Sequence, residues 1–347
     1  MEKVAPGLYR MEIAIRNAPG KVNLFVERGP HGVLVIDAAS DYPEARVALA
    51  EGFRQIGLAL TDVTHIVISH LHVDHYGMAG WLAELSGAPV WVHEAGGFEL
   101  WRHWNPKEAG ERMSGFAVMH GASPEVAARI TALDDWRYLL TLPKSFGQLV
   151  HGEKRAWAGR QWDVIFTPGH AAGHICLWSE ADKLLVGGDQ LLAKAFAAVR
   201  WFNDELGDPL GAYLRGVRAL GTLSPVALLP GHGEVVADVA ALVRATEEHH
   251  LGVAAGVLEL LDKPRSAMEV VTALHGEISD FRLRVVLTEV AASLRYLEIQ
   301  GEAVSMLHGR VMYFGKTGSA KREWAWGPTL ETSGIPTEKN TDTKESR

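Results

Sequence analysis

The chain has 347 residues, 47% of them hydrophobic and 22% charged, enough for a full apolar core over roughly two domains, which excludes a disordered or collagen-like chain. Its formal net charge of −8 gives no sign of a general nucleic-acid-binding surface, although a local basic groove is compatible with that average. One Cys against 16 His excludes an internal disulfide and a sulfur-held zinc ribbon or iron–sulfur cluster, so any metal would take nitrogen and oxygen ligands.

The N-terminus, MEKVAPGLYRM, has no apolar signal region, and no run of about 18 apolar residues occurs, so a cytoplasmic protein without a membrane partner is expected. Residues 8–15, 21–27 and 33–37 read as short strands between Gly/Pro/Asn turns. A helical pattern covers 43–56, and THIVIS (64–69) is a β-branched run of buried-strand type. Helical spacing resumes at 77–85, and 89–93 reads as a strand. The stretch 95–145 reads as a helical insertion, with periodicity at 124–133 and 135–140. Strand patterns return at 162–166, 175–179 and 183–186, then a helix at 210–220 and a strand at 226–229. This alternation predicts an α/β or αβ sandwich over residues 1–245. Helical patterns at 247–261, 267–274 and 282–300, then a hairpin at 303–307 and 310–314, predict a winged-helix-like domain over 246–315. From Lys316 the chain is polar and predicted to be a disordered tail to 347, with Trp324 and Trp326 as exceptions. There is no internal repeat.

The densest chemistry lies in Ser69-His70-Leu71-His72-Val73-Asp74-His75, directly after the buried strand. Histidines two apart on extended backbone project to one side, and a turn beyond them can aim Asp74 and His75 at a neighbouring point. Four metal-capable groups this close exceed what a single tetrahedral site draws from one loop. Three later strands end the same way: Thr167-Pro168-Gly169-His170, Gly187-Gly188-Asp189 and Pro230-Gly231-His232-Gly233. Each alone reads equally well as a cap or a satisfied turn residue; together they repeat one design of apolar strand, glycine turn and metal-capable side chain.

HLHVDH, TPGH, GGD and PGHG in this order resemble the metallo-β-lactamase superfamily over about residues 5–245. That resemblance implies an αββα sandwich with a binuclear centre at one edge. His70, His72 and His170 would hold the first metal, Asp74, His75 and His232 the second, and Asp189 would bridge them. An Asp at position 189, where β-lactamases of the family usually carry Cys, resembles the glyoxalase II, lactonase and ribonuclease Z-like branches. His174 in TPGHAAGH is expected to support the site rather than ligate, with a plain structural role as the alternative. Cys176 reads as a core residue. The domain order resembles the lactamase-β-like-protein-2 group, which includes single-strand endoribonucleases and thioesterases.

Two divalent cations sharing a water lower its pKa and supply a hydroxide that attacks a carbonyl or phosphoryl centre, with Asp74 orienting it and moving its proton. Zinc is the first expectation for the two ions, and iron or manganese suits the same ligands. The expected reaction is hydrolysis of a thioester, ester or lactone in a small acyl substrate, thioesterase-like. The alternatives are a single-strand endoribonuclease or phosphodiesterase, and a non-catalytic binding protein. Nucleic acid is not favoured: Arg282, Arg284, Arg295 and Arg310 are outnumbered by acidic residues in the same segment. The insertion's Phe98, Leu100, Trp101, Trp104, Met113, Phe116, Val118 and Met119 suit an apolar roof over an acyl substrate, or the hydrophobic face of a helical hairpin. Arg102, Arg129 and Arg200 are candidates to bind an anionic substrate group, and Tyr76 to line the entrance. A homodimer is allowed for.

Overall fold

A computed structural model describes residues 1–16, 19–132, 137–201 and 207–318. Four strands open the chain as an antiparallel meander: β1 (Glu2–Ala5), β2 (Leu8–Ala14), β3 (Lys21–Gly29) and β4 (Gly32–Ile36). Helix α1 (Pro43–Gln55), with Pro43 at its first turn, crosses over to β5 (Val63–Val67), which lies parallel to β4. A short turn of helix α2 (Val73–Tyr76) and helix α3 (Ala79–Ser86) lead to β6 (Val90–His93). The edge strand β7 (Gly147–Leu149) completes this first, seven-stranded sheet. The second sheet holds β8 (Lys154–Trp157), β9 (Arg160–Phe166), β10 (Ile175–Ser179), β11 (Leu184–Gly188) and β12 (Ala227–Pro230).

Burial explains the layers. Leu34, Ile36 and Val67 of the first sheet meet Trp162, Val164, Leu177, Val186 and Leu229 of the second in one apolar seam. The outer face of the first sheet, through Leu24, Val35 and Ile66, is covered by Leu49 and Phe53 of α1 and Leu82 of α3. Cys176, Trp178, Leu185 and Leu228 turn outward from the second sheet onto helix α7 (Pro209–Thr222). The result is the expected helix–sheet–sheet–helix sandwich. Cys176 is a core residue: its thiol is fully buried, faces the carbonyl of Gly187 at 3.4 Å, and is pushed up to about 12 by that burial.

Between β6 and β7 the insertion forms α4 (Gly97–Trp104), α5 (Pro106–Met119) and α6 (Pro124–Thr131). The periodicity over 135–140 does not yield an α-helix in its described part. Arg137–Leu139 is a single 3₁₀ turn, because the backbone there bonds outward: Asp41 N–H to Leu139 O and Thr141 N–H to Gly77 O, both 2.8 Å. The C-terminal part consists of α8 (Val239–Glu259), α9 (Ala267–His275), α10 (Asp280–Ile299) and a hairpin of β13 (Ala303–His308) and β14 (Val311–Lys316). Helix α8 starts eight residues before the spacing indicates, capped by the Asp238 side chain accepting from Ala241 N–H at 2.9 Å, and runs unbroken through position 245. Its Val243 and Val257, with Leu287 and Leu294 of α10, belong to the same cluster as Leu185 and Leu228. The tail from 319 on, with Trp324 and Trp326, lies outside the described residues, as do the side chains of Phe98 and Trp104. Among the described residues no helix is long and apolar enough to cross a membrane.

His120 marks the seam between insertion and C-terminal helices. It is 1% exposed, surrounded by the rings of Phe116, Trp201 and Phe314, and neither ring nitrogen has a hydrogen-bond partner. Burial lowers its pKa to about 4. The unfolded chain therefore takes up a proton that the folded state refuses. The contribution of His120 to stability is full above pH ~6.5 and falls as pH drops toward about 4, by about 3 kcal/mol. His120→Phe, which also removes an unsatisfied N–H, is expected to raise stability and flatten this part of the profile in denaturant titrations at pH ~8 and pH ~5. A variant with the wild-type slope would show that His120 is not its source.

Candidate metal centre

Strands β4 and β5 run parallel, as do β9, β11 and β12, so their carboxyl ends reach one rim of the sandwich. There the chain leaves β5 extended through His70 and His72, and the α2 turn then swings Asp74 and His75 inward. His170 follows β9, Asp189 follows β11 and His232 follows β12. The seven side chains singled out from the sequence thus come together at one place.

Two ligand groups form. His70 Nε2 and His170 Nε2 lie 2.9 and 3.0 Å from His72 Nδ1. His232 Nε2 lies 3.3 Å from His75 Nε2 and 3.5 Å from Asp74 Oδ2. In each group of three, the ligating atoms fall within 4.8 Å of one another. Asp189 reaches both: Oδ1 is 3.4 Å from His75 Nε2, and Oδ2 is 3.5 Å from His170 Nε2 and 3.4 Å from His232 Nε2.

The donor set fits divalent cations. Asp189 Oδ1 is buried with no hydrogen-bond partner, an arrangement that costs free energy unless a cation meets it. Burial, reinforced by neighbouring imidazoles, holds His70 and His72 well below the usual histidine range, and burial lowers His170 to about 4, so all three present neutral lone pairs. Burial works against charging His75 too, but Asp189, Asp74 and Asp37 outweigh it and raise its pKa. Burial likewise opposes ionising Asp189, and His75 and His232 prevail, keeping its carboxyl well below the usual range. The second half of the site is therefore an anionic recess that calls for positive charge.

Four of the rings are aimed from behind by an acceptor on the other nitrogen. His75 Nδ1 faces Asp37 Oδ2 at 2.8 Å, and His70 Nδ1 faces Ser69 Oγ at 3.0 Å. His170 Nδ1 faces Ala198 O at 2.9 Å, and His232 Nδ1 faces Lys21 O at 2.7 Å. Asp37 also accepts from Ser69 N–H at 2.7 Å and Ser69 Oγ–H at 2.8 Å. Sequence reasoning missed Asp37, although it ends an apolar strand as Asp189 does. It missed Asn23 as well, whose side-chain amide donates to Pro230 O and Gly233 O, both at 2.8 Å, and so sets the His232 loop. His174 supports rather than joins the centre: its Nε2 accepts from Asp189 N–H at 3.0 Å and its Nδ1 faces Thr167 Oγ1 at 2.8 Å.

The insertion touches this rim through α4, where Glu99 Oε1 accepts from Ala172 N–H at 2.8 Å. Its apolar set does less than a roof would require. Met113 and Phe116 pack with Ala291, Met119 and Trp201, and Trp101 lies under the guanidinium of Arg112. Tyr76 is fully buried and does not line an entrance. Of the three arginines, Arg200 reaches His72 at 2.9 Å, whereas Arg129 is paired with Asp280 of α10. Arg102 lies close enough to Tyr76 and Glu99 to act on their charges.

The sequence profile of the metallo-beta-lactamase superfamily matches residues 18–232, which takes in both ligand groups and Asp189. The chain belongs to this superfamily. Among superfamily relatives, the probable metallo-hydrolase YqjP of Bacillus subtilis is 26% identical over 305 residues, 86% of this chain and 94% of its own. The metallo-beta-lactamase family protein TTHA1429 of Thermus thermophilus superposes with a TM-score of 0.80 at 28% identity, covering 90% of this chain and all of that one. A beta-lactamase domain protein from Burkholderia ambifaria shares the fold, with a TM-score of 0.78 at 24% identity over 91% of this chain and 94% of its own. Both structures match beyond the sandwich into the C-terminal helices, as their coverage requires.

Proposed function

We propose that the chain is a metal-dependent hydrolase of thioesters, esters or lactones, with zinc as its metal. The carrying observation is the convergence of two three-residue ligand groups on one buried carboxylate, Asp189. Held by His70, His72 and His170 and by Asp74, His75 and His232, with Asp189 between, two divalent cations would supply Lewis-acid polarisation of the carbonyl and lower the pKa of water. The chain's own groups do the rest. Asp74, 26% exposed and 3.5 Å from His232 Nε2, accepts a proton from the attacking water and returns it to the leaving group. Asp37 and His174 keep His75 and Asp189 in place.

An acyl substrate is favoured over RNA by the pairing of the C-terminal arginines, the segment we read as a winged-helix-like appendage to a catalytic unit ending near residue 245. Arg295 pairs with Glu298 at 2.7 Å and Arg265 with Asp262 at 3.1 Å, so acidic neighbours offset part of the positive charge there. The test is a panel of acyl thioesters, esters and lactones beside labelled single-stranded RNA, with elemental analysis of the same preparation. About two metals per chain and turnover of the acyl panel are expected, falling about 10²–10⁴-fold in Asp74→Asn. Cleavage of RNA alone, lost in the same variant, overturns the substrate reading. A chain that holds no metal after growth in metal-rich medium overturns the whole proposal.

A further inference from the structure

The ring of His72 is the odd one among the five histidines. The other four turn their second nitrogen to an oxygen acceptor, whereas His72 Nε2 faces Arg200 Nη2 at 2.9 Å. A guanidinium only donates, and an imidazole that ligates through Nδ1 carries its ring hydrogen on Nε2. Two donors then face each other, so Arg200 is not placed to orient a ligating His72 in the way Asp37 orients His75. Its backbone is nevertheless held firmly. Ala198 O accepts from His170, and Trp201 N–H donates to Thr288 O of α10 at 3.0 Å. A half-buried cation is thereby fixed at the edge of the metal centre, on the side of His72 away from the ligand cluster. That is too remote for the reacting carbonyl oxygen and suited to a group further along the substrate.

We propose that Arg200 is the specificity residue of this site, binding a carboxylate or phosphate on the part of the substrate that is not cleaved. The inference rests on the hydrolase reading above, deepening it to acidic substrates. Its test compares wild type with Arg200→Gln and Arg200→Lys on matched thioesters. Succinyl against butyryl N-acetylcysteamine isolates a carboxylate on the acyl arm; butyryl-coenzyme A against butyryl N-acetylcysteamine isolates phosphate on the leaving arm. Wild type is expected to prefer one anionic member, and Arg200→Gln to lose that preference about 10–100-fold, mainly in KM. Turnover of the neutral substrate should fall much less than that of the anionic one, and Arg200→Lys should recover part of the preference. Calorimetric titration of succinate and of inorganic phosphate gives a readout independent of turnover: one of them should bind wild type more tightly than Arg200→Gln. Equal losses on neutral and anionic substrates, with metal content reduced, would make Arg200 a support for His72 and overturn the proposal. Absence of turnover on every substrate would count against the hydrolase reading alone, and identical anion binding by wild type and variant against this one.

Discussion

Asp37→Asn is expected to leave the chain folded and weaken metal binding about 10–100-fold, as judged by chelator competition. The reason lies in its three bonds, to Ser69 N–H, Ser69 Oγ–H and His75 Nδ1. An asparagine keeps one acceptor oxygen where the carboxylate offers two, so it cannot hold Ser69 and His75 together. Its amide also presents N–H to a ring that needs an acceptor. Backbone strain separates this variant from Asp37→Ala. Asp37 has φ of 62°, a left-handed conformation that asparagine adopts readily and alanine does not. Asp37→Ala therefore combines strain with an unpaired Ser69 N–H and an unanchored His75, and should lose about 3–5 kcal/mol of stability. Metal content and denaturant midpoint measured on both variants separate the two effects. If Asp37→Asn binds metal as tightly as wild type, Asp37 does not orient the centre.

Gly231→Ala should likewise give a folded protein with a disabled site. An added Cβ would fall inside contact distance of Asp189 Oδ1, and would lie 2.8 Å from His75 Cε1 and 3.0 Å from the carbonyl of Gly188. His75 cannot yield, being buried and tied to Asp37, so Asp189 is displaced. Metal and catalytic sites tolerate about 0.5 Å of misplacement, and a shift of about 1 Å costs about 10²-fold in rate. Gly231 is not in the left-handed region, so the substitution carries little backbone penalty of its own. Thermal stability close to wild type, with hydrolysis and metal content both depressed, is the expected pair of measurements. A fully active variant would show that the closeness of Gly231 to Asp189 has no functional weight.

The clustering of the seven residues was legible because each member ends an apolar strand in a glycine or histidine motif, and strand ends in a sandwich converge. His70, His72, Asp74, His75, His170, Asp189 and His232 needed only local sequence and that topological rule. The groups behind them were hidden for a physical reason. Asp37 meets Ser69 from 32 residues away and Asn23 meets Pro230 from 207. Neither pairing leaves a trace in spacing. Short strands such as β7 and β8 were missed because three or four residues with mixed burial carry no clear period. The apolar residues of the insertion misled in the opposite direction, since a helix face packed on α10 and a pocket roof draw on the same composition.

The unbroken run of α8 through position 245, with one apolar cluster extending from β11 to α10, has an implication for how the chain tolerates substitution. Substitutions on the inner faces of the C-terminal helices are constrained by α6 and α7, on which they pack, so a change there is felt by the helix layer over the second sheet. The segment 198–201, which bonds His170 on one side and α10 on the other, carries that constraint to the chemistry. Packing in the C-terminal helices and the position of His170 are thereby linked through one short segment.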